Sequence, residues 1–109
     1  MTAEVRLGRW QDVLAGVRPD TVIVDAPYSE RTHKGAIGNE GDADAMGSAD
    51  GHARVPILYP WWTGTDVDAF VGSWAPRVSC WIVSITDTDL APKWRASYEA
   101  NGLYAFPPL

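Results

Sequence analysis

Two short apolar runs, at positions 22–24 and 78–85, constrain the fold of this chain more than any other feature. Both are rich in β-branched residues and show little polar alternation, which is typical of parallel strands buried on both faces. Shorter strands are predicted at 3–7, where apolar and polar residues alternate, and at 103–106. Cys80 falls inside the second run, where a thiol is expected to be an inert part of the core.

Three stretches around these runs carry apolar residues at helical spacing, at about 9–16, 66–74 and 90–101. Thr65 is predicted to cap the second helix, and Pro92 is tolerated in the first turn of the third. Because helices alternate with strands, the sequence predicts an α/β fold with a mostly parallel sheet and flanking helices. The 109 residues suffice for a single domain with one modest core.

Residues 29–57 differ from the rest, because they hold five glycines, many small polar residues and few large apolar ones. This composition predicts a long, flexible, glycine-rich loop inside the domain, and such loops are often functional. His52 lies alone in this segment and is not expected to bind a metal. The single cysteine excludes a disulfide framework and a multi-cysteine zinc site, so no metal centre is expected.

The charge balance is acidic, with 9 Lys and Arg against 14 Asp and Glu and a net charge of −5. An autonomous nucleic-acid-binding module usually carries a basic surface, which this chain lacks overall. A catalytic part whose basic surface lies elsewhere remains compatible with this charge. No apolar run is long enough for a transmembrane helix, and the N-terminus lacks the apolar stretch of a signal peptide. A cytoplasmic protein with no membrane partner is the simplest interpretation.

The tetrapeptide Asp25-Ala26-Pro27-Tyr28 directly follows the first apolar run, at the carboxyl end of a predicted strand. Ligands of open α/β sheets bind beyond these ends. The Asp25 carboxylate and the Ala26 carbonyl offer two hydrogen-bond acceptors. Pro27 fixes the turn, and Tyr28 offers a flat face on which a planar base can stack. Two acceptors and a stacking face suit an amino group on a heteroaromatic ring.

This motif, together with residues 7–14 and 22–29, resembles the S-adenosylmethionine-dependent DNA amino-methyltransferases, which methylate adenine N6 or cytosine N4. Their catalytic motif reads Asp-Pro-Pro-Tyr and follows a Leu-x-Gly-Asp unit at the spacing found here. The resemblance runs from Val5 to about Phe106. It implies part of a Rossmann-like methyltransferase fold, S-adenosylmethionine as the cofactor, and DNA with its target base flipped out as the substrate.

The resemblance also implies roles for individual residues. Catalysis falls to Asp25, Ala26, Pro27 and Tyr28; cofactor binding falls to Gly8, Arg9, Trp10 and Asp25; and substrate binding falls to Tyr28, Ser29, Arg31, His33, Lys34, Trp61 and Trp62. No metal is implied. Catalysis in this scheme is mainly positioning of the amino group, without a covalent intermediate.

The residues alone leave four interpretations open. The motif at Asp25 to Tyr28 is either catalytic or a plain structural turn, because turns that end strands often use Asp and Pro. The charges of Arg31, His33 and Lys34 either contact DNA or are simply solvated in a loop. The aromatic residues around Pro60 either wall the base site or plug the core; they are Tyr59, Trp61 and Trp62. Residues 86–87, which follow the second apolar run, either line the same crevice or cap a helix.

Three features depart from the family pattern. Ala26 stands in place of the first proline, and because that residue acts through its carbonyl, the chemistry can persist. Arg9 stands in place of the aspartate that usually helps to hold the cofactor. The Phe-x-Gly-x-Gly cofactor loop is absent from the 109 residues. We therefore expect the N-terminal portion of a permuted methyltransferase, with the loop in the rest of the methyltransferase chain. The alternative is a catalytically inactive interaction or structural module.

Overall fold

The computed structural model describes residues 2–37 and 60–109. The elements in these ranges are α1 (Trp10–Val13), β1 (Thr21–Asp25), α2 (Glu30–Ile37), α3 (Gly64–Trp74), β2 (Trp81–Ile85) and α4 (Ala91–Ala100). β1 and β2 pair in parallel, with Thr21 opposite Trp81. The described residues form a small α/β domain with a two-stranded parallel sheet and flanking helices, which confirms the predicted class at this level. None of these helices is long and apolar enough to cross a membrane.

Helices α3 and α4 pack against each other and cover one face of the sheet. The backbone N–H of Thr63 donates to Asp66 Oδ2 at 2.8 Å, so Thr63, and not the predicted Thr65, caps α3. The α4 helix agrees with the prediction, including Pro92 in its first turn. The buried apolar residues of the core cluster are Ala26, Val67, Phe70, Val71, Trp74, Leu90 and Trp94.

The other face of the sheet is exposed in the described structure. Inward side chains pack on the core cluster, namely those of Val22, Val24 and Ile82. Outward side chains are exposed, namely those of Ile23, Trp81, Val83 and Ile85. The prediction of strands buried on both faces is therefore wrong for the described residues, because α3 and α4 cover only one side. Cys80 is also exposed and precedes β2, so its predicted place in the core is wrong.

The strands predicted at 3–7 and 103–106 do not form. A strand needs a neighbouring strand for its N–H and C=O groups, and the described ladder joins β1 only to β2. Val5 in the first segment is 95% exposed, so alternation there buries nothing. In the second segment, the Phe106 ring lies 5.4 Å from the Trp81 ring without strand pairing. Alternating polarity alone was therefore insufficient to form a strand, because no neighbouring strand among the described residues is available to pair with it.

The beginning of the predicted 29–57 loop is helical, since α2 lies within it. The Ser29 hydroxyl oxygen accepts a backbone N–H of the first turn at 3.3 Å, which starts the helix. Glu30 and Lys34 form an ion pair one turn apart on its surface. The predicted loop is therefore wrong for residues 30–37, because these local interactions support a helix despite the polar composition. Residues 38–57 of the predicted loop, which include His52, lie outside the described residues, as does Tyr59.

Candidate functional site

The two strands end side by side, because Asp25 lies opposite Ile85 in the ladder. The segments that leave the strands therefore meet at one edge of the sheet. Asp87 Oδ2 accepts the Ser29 backbone N–H at 2.9 Å and the Ser29 hydroxyl at 2.5 Å. This contact joins the segment after β1 to the segment after β2, across 58 positions of sequence. Ser29 thus directs both of its donors at Asp87, although the sequence predicts contact with the substrate.

Both carboxylate oxygens of Asp87 accept hydrogen bonds, since Oδ1 accepts the Leu90 N–H at 2.9 Å, at the turn that leads into α4. The capping interpretation of this position therefore holds for the turn before α4, whereas Asp87 is not among the residues that line the depression at Asp25. Burial opposes ionisation, but hydrogen bonds from Ser29, Thr32 and Leu90 outweigh it and lower the pKa of Asp87 to about 2. The resulting stabilisation is fully present above the ordinary pKa of 3.8 and is lost as the pH falls through about 2.

Asp25 is the contrasting carboxylate at this edge. It ends β1 and is exposed, and no hydrogen bond to its side chain is formed by the residues that the structure describes. Together with Ala26, Pro27 and Tyr28 it lines an open depression. The Tyr28 side chain is 37% exposed, whereas Ala26 is buried. The depression thus combines an unused carboxylate with an accessible aromatic ring, as the motif predicts.

The three cations after the motif occupy different environments. Arg31 is 87% exposed, and its guanidinium lies 3.5 Å from an Asp89 carboxylate oxygen. Lys34 pairs with Glu30, and its ammonium lies 5.6 Å from the centre of the Trp61 ring. His33 is buried and packs edge-on against the same ring at 5.5 Å. Arg31 and Lys34 are therefore accessible to a ligand, whereas His33 is a packed side chain.

The tryptophans at 61 and 62 separate into the two roles that the sequence left open. Trp62 packs in the core, where its ring stacks on Trp94 at 6.1 Å and lies 5.8 Å from Phe70. Trp61 remains 37% exposed beside His33. Only Trp61 of the two therefore has the free surface that a wall of a binding site requires.

The site geometry can be set beside known proteins. No protein-family model, curated protein or solved structure matches this chain.

The residues predicted to bind the cofactor do not come together. Gly8 and Trp10 line a second depression, formed by the N-terminal segment and α1, while Asp25 lines the first. The α1 helix is shorter than the predicted 9–16 helix. The Trp10 ring packs against the core, with its centre 5.1 Å from that of Phe70. Arg9 is exposed before α1. The described residues thus do not fit S-adenosylmethionine as a complete site.

Asp89 is a site residue that the sequence interpretation overlooked. Its carboxylate lies 3.2 Å from the Ser29 hydroxyl and pairs with Arg31. The available signal was the pair of carboxylates at 87 and 89 directly after an apolar run. Such a pair is equally common at the start of a helix, so the sequence alone did not distinguish the two uses.

Proposed function

We propose that this chain supplies the target-base part of an S-adenosylmethionine-dependent DNA amino-methyltransferase, built on part of a Rossmann-like fold. The observation that carries the proposal is the unused Asp25 carboxylate beside the exposed Tyr28 ring, in one depression at the carboxyl end of a parallel strand. Ligands of α/β sheets bind at this edge. The proposed location is the cytoplasm.

In the proposed reaction, the Asp25 carboxylate and the Ala26 carbonyl accept the two N–H groups of adenine N6 or cytosine N4. Fixing both hydrogens would hold the amino group in one orientation and leave its lone pair free, so these residues would act mainly by positioning. Removal of the base from the duplex costs a few kcal/mol, and the Tyr28 ring then stacks on the flipped base. The bound donor supplies an electrophilic methyl group, held by a segment other than the described residues.

Contacts with the DNA backbone are assigned to Arg31 and Lys34, the accessible cations after the motif. Such contacts position a protein on DNA without reading sequence. The net charge of −5 is too acidic for strong binding by this chain alone, so further basic surface belongs to the rest of the methyltransferase chain. Trp61 is assigned to the wall of the base site, because its ring is accessible.

We expect the 109-residue chain alone to show no measurable affinity for S-adenosylmethionine. The predicted contacts are divided between two depressions, and the glycine-rich loop that lets backbone approach a cofactor is absent from the sequence. Titration calorimetry with the cofactor tests this expectation. Micromolar affinity would show that the chain holds a cofactor site that these residues do not reveal.

The role of Tyr28 is tested by comparing Tyr28→Phe with Tyr28→Ala. If the ring stacks on the base, Phe retains most of the affinity for DNA with a mismatched target base. Ala loses the stacking contribution of about 1–3 kcal/mol, which is roughly 5- to 150-fold in affinity. Binding assays on both variants, with thermal melting as the control for folding, measure the difference. Equal loss in both variants would make the hydroxyl the working group and would contradict stacking.

A catalytically inactive module with the same fold is the second candidate, favoured by the divided cofactor residues. The two candidates differ in their dependence on Asp25. An inactive module that binds its partner through other surfaces keeps its binding when this carboxylate is removed. The methyltransferase loses its activity.

A further inference from the structure

The peptide group between Tyr28 and Ser29 is held from both sides. Its carbonyl oxygen accepts the Trp62 backbone N–H at 3.0 Å, and its N–H donates to Asp87 Oδ2 at 2.9 Å. These two groups belong to one planar amide, so two hydrogen bonds from opposite edges fix the orientation of the whole plane. The Tyr28 Cα lies in that plane, and the direction of its side chain depends on it.

Both partners of this peptide group are themselves anchored at α4. Asp87 accepts the Leu90 N–H at 2.9 Å, directly before the helix. Trp62 stacks on Trp94, which lies within the helix and is 2% exposed. The anchors are therefore parts of the packed core rather than mobile side chains. They limit the freedom of Tyr28 even though its ring is accessible.

We infer that Asp87 is a positioning residue, which sets the direction of the Tyr28 ring through the Ser29 amide. The inference rests on the proposed function, in which that ring receives the target base. A ring already directed into the depression loses less freedom when the base stacks on it. Asp87 does not touch the base in this scheme; it acts only through the peptide group.

The substitution Asp87→Asn separates positioning from helix capping. Asn caps helices about as well as Asp, so its amide oxygen can keep the Leu90 N–H. Its NH₂ group cannot accept a hydrogen bond, so the Ser29 N–H loses its acceptor. Asp20→Asn is the matched control, because Asp20 Oδ1 accepts the Ser79 hydroxyl at 2.7 Å at the opposite end of the same strands.

Two measurements on the 109-residue chain test the positioning directly. We expect exchange of the Ser29 amide hydrogen to be roughly 10- to 100-fold faster in Asp87→Asn, because a hydrogen bond to a charged group is lost. With 3-fluorotyrosine in place of the four tyrosines, the ¹⁹F signal of Tyr28, assigned through Tyr28→Phe, should shift or broaden. Asp20→Asn should change neither, and a cooperative thermal transition of Asp87→Asn should show that the fold is retained.

A third measurement connects the positioning to base binding. Asp87→Asn should weaken binding to a duplex with a mismatched adenine or cytosine by roughly three- to tenfold, a part of the stacking contribution. In the Tyr28→Ala background the same change should alter affinity by less than about twofold, since there is no ring to position.

Unchanged Ser29 exchange and an unchanged Tyr28 signal in Asp87→Asn would overturn the inference. Equal weakening of DNA binding with and without the Tyr28 ring would overturn it as well. Failure of the proposed function gives a different result: no binding of mismatched DNA even by the full methyltransferase chain that the proposal implies, with the exchange and ¹⁹F responses to Asp87→Asn still present in the 109 residues.

Discussion

Under the proposed function, replacing Asp25 with alanine is expected to lower methyl transfer strongly while leaving the fold intact. The carboxylate ends β1, is exposed, and makes no hydrogen bond within the described residues, so its removal opens no cavity and orphans no donor. Loss of one preorganised polar group at a reacting centre typically lowers kcat by about 100- to 1,000-fold. The measurement is transfer of a labelled methyl group to DNA by the complete enzyme, with thermal melting recorded in parallel.

Two further variants sharpen this test. Asp25→Asn keeps one acceptor oxygen in nearly the same shape, so it should retain more activity than alanine. Asp12→Ala removes another exposed carboxylate, in the first turn of α1, and should leave activity unchanged. Methylation by Asp25→Ala at the level of Asp12→Ala would remove Asp25 from the reaction. Absence of methylation by the unsubstituted chain and by every variant would favour the inactive module.

Replacing Trp94 with alanine is expected to cause the largest loss of stability. This side chain is 2% exposed and contacts the rings of Trp62, Phe70 and Tyr98 at 6.1, 5.8 and 5.8 Å. Truncation of a buried tryptophan to alanine costs about 3–5 kcal/mol, a large part of the roughly 5–15 kcal/mol that stabilises a typical domain. Urea unfolding measures the change in the free energy of unfolding.

Trp61→Ala is the matched control, because it removes the same side chain from a position that is 37% exposed. Its ring contacts are with the buried His33 and the exposed Lys34 of α2, so the loss should stay below about 1.5 kcal/mol. If both substitutions lowered the free energy of unfolding equally, Trp94 would not lie at the centre of the core, contrary to its ring contacts.

Elements with strong local signals were predictable from the sequence. The α3 and α4 helices follow from apolar spacing, and the Pro92 position agrees with the start of α4. The cores of both strands were located because β-branched runs are scarce elsewhere in the chain. The helix at 30–37 was missed, because its cap and its ion pair carry little weight beside a polar, glycine-containing composition.

The candidate site was predictable only in part. The positions of Asp25 and Tyr28 after a strand follow from the order of residues, and the structure places them in one depression. The partner of Ser29 was not predictable, because Asp87 lies 58 positions away and its closeness depends on the pairing of β1 with β2. The proposed catalysis itself stays a prediction, carried by the motif and its geometry.

The sequence by itself determined where β1, β2, α3 and α4 lie and which carboxylate follows the first strand, because these depend on strong local patterns. The tertiary structure decided which faces are buried, since burial depends on where α3 and α4 pack. It also determined that two carboxylates at the same edge of the sheet differ in their hydrogen bonding. Asp87 is bound by Ser29 and Leu90, whereas Asp25 remains unused by the described residues. Hydrogen bonds between distant segments form only after the strands align, and this alignment leaves one carboxylate structural and the other available to a ligand.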